Sequence, residues 1–302
     1  MRLILTALLL VLLAWPSCTG NDSRPDGGDT DTDTDTDTDA DTDTDTDTDS
    51  DGDGDECSEN AKLVYVVDTQ YKLFRFDPPD KSFEYVGTME CASGGSPFSM
   101  SVGRNDKAYV LFWTSYGCLG INQVSIHDAH CETLVPFECG QYDFDTFGMG
   151  FATDGPDTTD ETLYVGKSNF VSSGSQLASI DTNIWELSPI APISESPELT
   201  GNQNGELWAF FAWAPTPKVA QINKQTGEES NAYYITEFPS VAAAFAFAYW
   251  GGDFYLFHAP SEETTTVWRL HNDSLEVWIP SEATAFSIVG AGVSTCAPTI
   301  IE

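Results

Sequence analysis

Along residues 61–299, short apolar runs recur at a near-constant spacing, punctuated by Gly, Asn, Asp and Pro. Three kinds of segment repeat. The first is an apolar run around one aromatic: Leu63-Val64-Tyr65-Val66, Ala108-Tyr109-Val110-Leu111, Leu163-Tyr164-Val165, Leu207-Trp208-Ala209-Phe210 and Phe254-Tyr255-Leu256-Phe257. The aromatics stand 44, 55, 44 and 47 residues apart. The second segment follows each of these, for example Leu73-Phe74-Arg75-Phe76-Asp77 and Val219-Ala220-Gln221-Ile222-Asn223. Asp77, Asp128, Asp181 and Asn223 end it in four copies, and His271 ends it in the fifth. The third precedes the aromatic run and alternates large with small residues: Phe98-Ser99-Met100-Ser101-Val102, Phe147-Gly148-Met149-Gly150-Phe151 and Phe245-Ala246-Phe247-Ala248-Tyr249, with Pro197-Glu198-Leu199-Thr200-Gly201 as the outlier. The first repeat lacks this segment at its front, and the missing copy stands near the C-terminus as Val289-Gly290-Ala291-Gly292-Val293.

A period of two means strands with distinct faces, and no long segment follows the helical period. Repeats of 40–50 residues built from short strands predict a β-propeller. A pair of β-sandwiches or a six-bladed ring would use similar strands. Five copies of each piece decide for an all-β, five-bladed propeller of four-stranded antiparallel blades over residues 57–302. The alternating segment is expected innermost. Its large residues would wedge between blades, and Ser99, Ser101, Gly148, Gly150, Ala246, Ala248, Gly290 and Gly292 would face the crowded axis. The C-terminal strand would complete the first blade and close the ring.

The chain of 302 residues carries 48 acidic against 12 basic residues, a net charge of −36. Residues 19–56 hold 17 acidic residues and one Arg, and residues 57–302 hold 31 acidic and 10 basic. Both parts repel phosphate backbones, which argues against a nucleic-acid partner. From 29 to 55 every second residue is Asp, mostly alternating with Thr. Such a segment has nothing apolar to bury and repels itself, so it is expected to be a disordered stalk. The 38 residues of 19–56 would reach at most ~125 Å extended and ~35 Å as a flexible coil. Asp47-Thr48-Asp49-Ser50-Asp51-Gly52 matches the opening of an EF-hand loop, but Ser58 stands where the closing Glu belongs. Diffuse Ca²⁺ binding to the stalk and O-glycans on its Thr residues both stay open.

Met1-Arg2 followed by an apolar stretch over 3–14 fits a secretory signal peptide over 1–17 and is too short to span a bilayer. Trp15-Pro16-Ser17-Cys18 places a small residue before Cys, as in a bacterial lipobox, where the thiol is lipidated. Ordinary cleavage nearby would leave Cys18 unpaired instead. Seven Cys residues become six when Cys18 is set aside, an even set for an oxidising compartment. Cys57 and Cys296 flank the two ends of the ring, so a Cys57–Cys296 disulfide is expected to lock it. Cys118–Cys139 is the first choice among the others, leaving Cys91–Cys131. Thr19 after Cys18, in place of Asp, favours the outer membrane over inner-membrane retention.

The lipobox, the Asp-Thr stalk and segments such as Pro97-Phe98-Ser99-Met100-Ser101-Val102, Glu198-Leu199-Thr200-Gly201, Trp250-Gly251-Gly252-Asp253 and Val289-Gly290-Ala291-Gly292-Val293-Ser294-Thr295-Cys296 resemble a group of uncharacterised bacterial surface lipoproteins that carry a β-propeller on such a stalk. The resemblance covers most of 61–299. It implies a cell-surface location and a propeller, and it brings no catalytic residues.

No nucleophile-elbow, zincin, P-loop or dinucleotide motif occurs. His127-x-x-His130-Cys131 has a metal-like spacing but falls on a turn between outer strands. His258 and His271 read as structural, and the recurring Asp and Asn read as turn caps. Glu198 is the unusual residue. By register it stands where the other copies place Ser99, Gly148, Ala246 and Gly290, and it would be the one charge near that mouth of the axis. A solvent-exposed Glu in a narrow tunnel is the plain alternative. Loops expected at the same face carry Asp143, Asp145, Trp113, Tyr116, Phe170, Trp213 and His258. An acidic floor under an aromatic rim suits a cation, or a sugar stacked on rings. These features point to a lipid-anchored surface protein whose propeller binds an extracellular ligand or envelope protein. The competing reading is a lactonase- or glycosidase-like hydrolase or lyase using a divalent cation, Ca²⁺ for example, near Glu198. No other cofactor is indicated.

Overall fold

The computed structural model describes residues 57–168, 175–239, 242–260 and 264–301. The signal peptide, Cys18 and the Asp-Thr stalk lie outside the described residues, as does Phe170. Twenty strands form five antiparallel sheets of four among the described residues. Blade 1 contains β1 (Val64–Asp68), β2 (Lys72–Asp77) and β3 (Ser82–Thr88). Blade 2 runs β4 (Ser96–Val102), β5 (Lys107–Thr114), β6 (Gly117–Ser125) and β7 (Cys131–Leu134). Blade 3 runs β8 (Phe147–Thr153), β9 (Glu161–Lys167), β10 (Ser175–Asp181) and β11 (Glu186–Ile193). Blade 4 runs β12 (Glu198–Gly201), β13 (Leu207–Phe211), β14 (Lys218–Ile222) and β15 (Glu229–Tyr234). Blade 5 runs β16 (Ala244–Trp250), β17 (Asp253–Ala259), β18 (Thr266–His271) and β19 (Ser274–Ile279). The last strand, β20 (Ile288–Val293), returns to pair with β1 and completes blade 1.

The five alternating segments are the five innermost strands. Ser101, Gly150, Thr200, Ala248 and Gly292 each pair with the repeat aromatic: Tyr109, Tyr164, Trp208, Tyr255 and Tyr65. The next register position inward holds Ser99, Gly148, Glu198, Ala246 and Gly290. Small residues are needed here because neighbouring inner strands touch. A Cβ on Gly148 would sit 2.2 Å from the Pro197 carbonyl oxygen, and one on Gly292 would sit 2.9 Å from the Ser101 backbone. Where a hydroxyl fits, it ties one blade to the next. Ser101 Oγ accepts from the Phe151 N–H at 3.1 Å, and Thr200 Oγ1 accepts from the Tyr249 N–H at 3.2 Å.

The core is divided. Buried apolar residues form five clusters among the described residues, each filled from two adjacent blades. In β1, Val64 and Val66 pack toward blade 5, while Tyr65 and Val67 pack toward blade 2. A strand that serves two wedges is apolar at every position, which explains why the aromatic runs are continuous while the inner strands alternate.

The four Asp and Asn residues after the second segment cap their turns. Asp77, Asp128, Asp181 and Asn223 accept backbone N–H groups two or three residues on, at 2.9–3.1 Å. Disulfides join Cys57 to Cys296, Cys118 to Cys139 and Cys91 to Cys131. Cys118 stands within β6 opposite Trp113, in the strand and not in the loop before it. The ring seam is reinforced by Ser294 Oγ donating to the Ala61 carbonyl at 2.7 Å and by Trp250 Nε1 donating to the Lys62 carbonyl at 2.9 Å.

Candidate functional site

All five inner strands run in the same direction, so their first residues ring one mouth of the axis and their last residues ring the other. Glu198 opens β12 and lies at the first mouth. It is 5% exposed. The structure therefore corrects the picture of a solvent-exposed Glu in the tunnel: this carboxyl is walled in. Gly148 of the adjacent blade makes the room, since the position of its missing Cβ is only 3.1 Å from the Glu198 carboxyl carbon. Through that gap Ser99, one blade further on, donates its hydroxyl to Glu198 Oε2 at 2.9 Å. Oε1 accepts no hydrogen bond among the described residues.

Burial disfavours the charged carboxylate and pushes the Glu198 pKa up to about 8, with the Ser99 hydroxyl pulling weakly the other way. No cationic side chain offsets the burial among the described residues. The group therefore favours its protonated form at neutral pH.

Above the carboxyl lies a cavity of about 200 Å³, room for six or seven waters at ~30 Å³ each. Its walls are aromatic. Phe98 and Trp113 of blade 2 meet edge to face at 5.4 Å, and Trp213 of blade 4 meets Phe245 of blade 5 in the same way at 4.9 Å. Ser168 and Val289 complete the lining together with small or cyclic residues.

The structure brings together Glu198, Ser99, Trp113 and Trp213 of the residues singled out from the sequence. It leaves out Asp143, Asp145 and Tyr116. Tyr116 is 99% exposed at the tip of the β5–β6 turn. Asp143 and Asp145 flank Phe144, which is fully buried against Phe147. With Phe144 turned in, its two neighbours turn out, and Asp143 lies 4.0 Å from Lys167 Nζ at the surface. His258 is buried beside Phe238 and does not line the cavity. The sequence reading missed Phe98, Phe245 and Val289 as lining residues. All three occupy one repeat position, directly before the small residue of the first register layer, so the repeat alignment held the signal.

Two other clusters are structural. Asp253, 1% exposed, accepts from Arg269 Nε at 2.6 Å and pairs with His271 Nδ1 at 2.5 Å. His127 and His130 lie on the β6–β7 turn, where His127 Nε2 is 3.2 Å from Asp106. No group of three or more His, Cys, Asp or Glu side chains placed to hold a metal occurs among the described residues. Among the described residues around the cavity, one carboxyl and two serine hydroxyls, Ser99 and Ser168, are a poor match to the six to eight oxygens Ca²⁺ takes.

No protein-family model matches the chain, and no curated protein matches it. Solved structures with a similar fold include the nidogen/laminin complex (12% identity, 76% of this chain and 97% of that one, TM-score 0.45). Others are a gluconolactonase from Xanthomonas campestris (14%, 70% and 71%, 0.41) and the calcium-binding protein regucalcin from Agrobacterium tumefaciens (11%, 78% and 77%, 0.41). Likenesses this distant carry nothing about ligand or reaction.

Proposed function

We propose that the propeller is a ligand-binding module at the cell surface, lipid-anchored through Cys18, in the outer membrane, and spaced from it by the Asp-Thr stalk. The observation that carries the binding reading is the aromatic-walled cavity floored by the buried Glu198 carboxyl. A concave, mostly apolar site with one convergent polar group of perturbed pKa is the usual form of a small-molecule site. The signal peptide, the lipobox Cys and the stalk support the anchoring and the location.

One observation favours catalysis: a carboxyl that stays protonated near pH 7 can act as a general acid. A glycosidase-like reaction needs a second carboxylate across the bond, and the cavity lining supplies none among the described residues. Binding is therefore the stronger reading.

The test is thermal unfolding of the full chain against panels of amines, sugars, peptides and divalent ions, the last with and without EDTA. A ligand of the folded state raises the midpoint by mass action. The expected result is a saturable rise with one organic class that is lost in Glu198→Gln. No rise with any class would sink the reading. Turnover of lactone or glycoside substrates that vanishes in Glu198→Gln would replace it with the enzymatic one. For the anchor, Cys18→Ala is expected to move the protein from the membrane fraction to the soluble one.

A further inference from the structure

Resting on the reading of this cavity as a ligand site, we propose that what it binds is a compact organic cation, a substituted ammonium held between the aromatic walls with its charge over Glu198. Three observations converge. First, the polar inventory is small. Ser99 already spends its hydroxyl on Glu198 Oε2, and among the described residues the lining adds the Ser168 hydroxyl and the indole N–H groups of Trp113 and Trp213, which only donate. A sugar brings many hydroxyls, and each one desolvated without a partner costs binding energy. An alkylated ammonium brings none. Second, the rings stand in two perpendicular pairs, with interplanar angles of 71° for Phe98–Trp113 and 76° for Trp213–Phe245. Perpendicular pairs turn ring faces in more than one direction, as a round cation needs, whereas a flat ligand is better served by one broad platform. Attraction of a cation to ring faces grows when both are taken out of water. Third, the propeller segment carries 31 acidic against 10 basic residues, so its field draws cations toward any opening.

Glu198 and the cation complete each other. The carboxyl lacks a counter-charge, and the cation supplies one. Binding therefore requires the carboxylate and expels the proton that Glu198 holds in the empty site. The elements packed around it contribute no competing charge among the described residues: β4 presents Ser99, β8 presents Gly148, β16 presents Phe245 and Ala246, and β20 presents Val289 and Gly290. On neighbouring strands, His258 stands in register beside Phe245 but is packed on Phe238, and Lys167 follows Gly166 and is turned toward Asp143.

The experiment is calorimetric titration of the full chain with tetramethylammonium chloride, at constant ionic strength, against neopentyl alcohol as the neutral probe of similar shape. The expected result is saturable tetramethylammonium binding at pH 8.5 that weakens about 25-fold by pH 6.5, as protonation of a group with pKa about 8 removes the binding form. Glu198→Gln should lose at least tenfold in affinity for the cation and lose the pH dependence. Trp213→Leu, at a half-exposed position where folding is little affected, should also weaken the cation, by about three- to tenfold. If neopentyl alcohol binds as well as the cation, and Glu198→Gln leaves both unchanged, the site binds ligands but the cationic class is wrong. If a sugar panel saturates the site and tetramethylammonium does not, the class is likewise wrong. If no probe of any class binds, the ligand-site reading fails as a whole.

Discussion

The two mouths of the axis each hold a glutamate, half-buried at one and fully buried at the other, and they treat it in opposite ways. Burial raises the pKa of both. At the far mouth Glu161, which begins β9, is met on every side. Its Oε1 accepts from the Arg104 N–H at 3.0 Å, its Oε2 accepts from the Thr295 hydroxyl at 2.8 Å, and the charge of Arg104 favours the carboxylate. Thr295 follows the closing strand, so Glu161 of blade 3 ties down the chain end next to Cys296. At the near mouth Glu198 has one hydroxyl and a cavity, and no cation among the described residues. The same side chain serves as a structural staple where its partners are built in, and keeps an uncompensated carboxyl where they are not.

The largest effect is expected at the stapled end. Cys296→Ser opens a disulfide spanning 239 residues, and in the chain-entropy account this should cost up to about 5.5 kcal/mol. Urea unfolding measures it, and a loss below about 1 kcal/mol would show that Glu161 and the seam hydrogen bonds hold the ring alone. Glu161→Leu leaves the Arg104 N–H and the Thr295 hydroxyl without their acceptor, and should cost about 1–3 kcal/mol.

At the other mouth the prediction depends on pH. Folded Glu198 holds its proton up to about pH 8, whereas its ordinary value is 4.5. Below 4.5 both folded and unfolded chains are protonated and this group's contribution is full. Between there and about 8, unfolding releases a proton, so stability falls as pH rises, by about 1.4 kcal/mol per unit at the steepest. Above 8 the loss levels off. Glu198→Gln removes this slope and should be more stable than the wild type at pH 8.5, with little difference at pH 4. Parallel stability curves for the two proteins across pH 4–9 would mean that the carboxyl is better solvated than its burial indicates. Gly148→Ala sharpens the same contrast. Its methyl would collide with the Pro197 carbonyl, and the expected cost is about 1–3 kcal/mol, together with weaker ligand binding as the carboxyl is displaced. The smallest effect belongs to Asp143→Asn, at an exposed loop position, with a change under about 0.5 kcal/mol and none in binding.

Much of this contrast could be read from the chain. The blade count, the inner strands and the register that sets Glu198 among Ser99, Gly148, Ala246 and Gly290 follow from a period-two pattern repeated five times, because a repeat aligned at one aromatic is aligned everywhere along its strands. The burial of Glu198 was not legible, since it depends on how closely adjacent inner strands approach over Gly148. The loop residues were not legible either. Asp143 and Asp145 were expected at the rim, but Gly140, Tyr142 and Asp143 all adopt positive φ, at 80°, 50° and 63°, and this tight turn gives the inward position to Phe144. Loops have no repeat to fix their register. Phe98, Phe245 and Val289 lie within the repeat and line the cavity through the register alone.

The closing strand also fixes an order of events during synthesis. Strands β1, β2 and β3 emerge before the other strands, yet the inner edge of their sheet stays open until β20 follows the other four blades. Blades 2 to 5 can each assemble from contiguous sequence, whereas blade 1 must wait for β20. A stop codon shortly before Ile288 would thus leave the oldest part of the protein with a bare hydrogen-bonding edge, and the damage from a missing C-terminus would appear at the N-terminus.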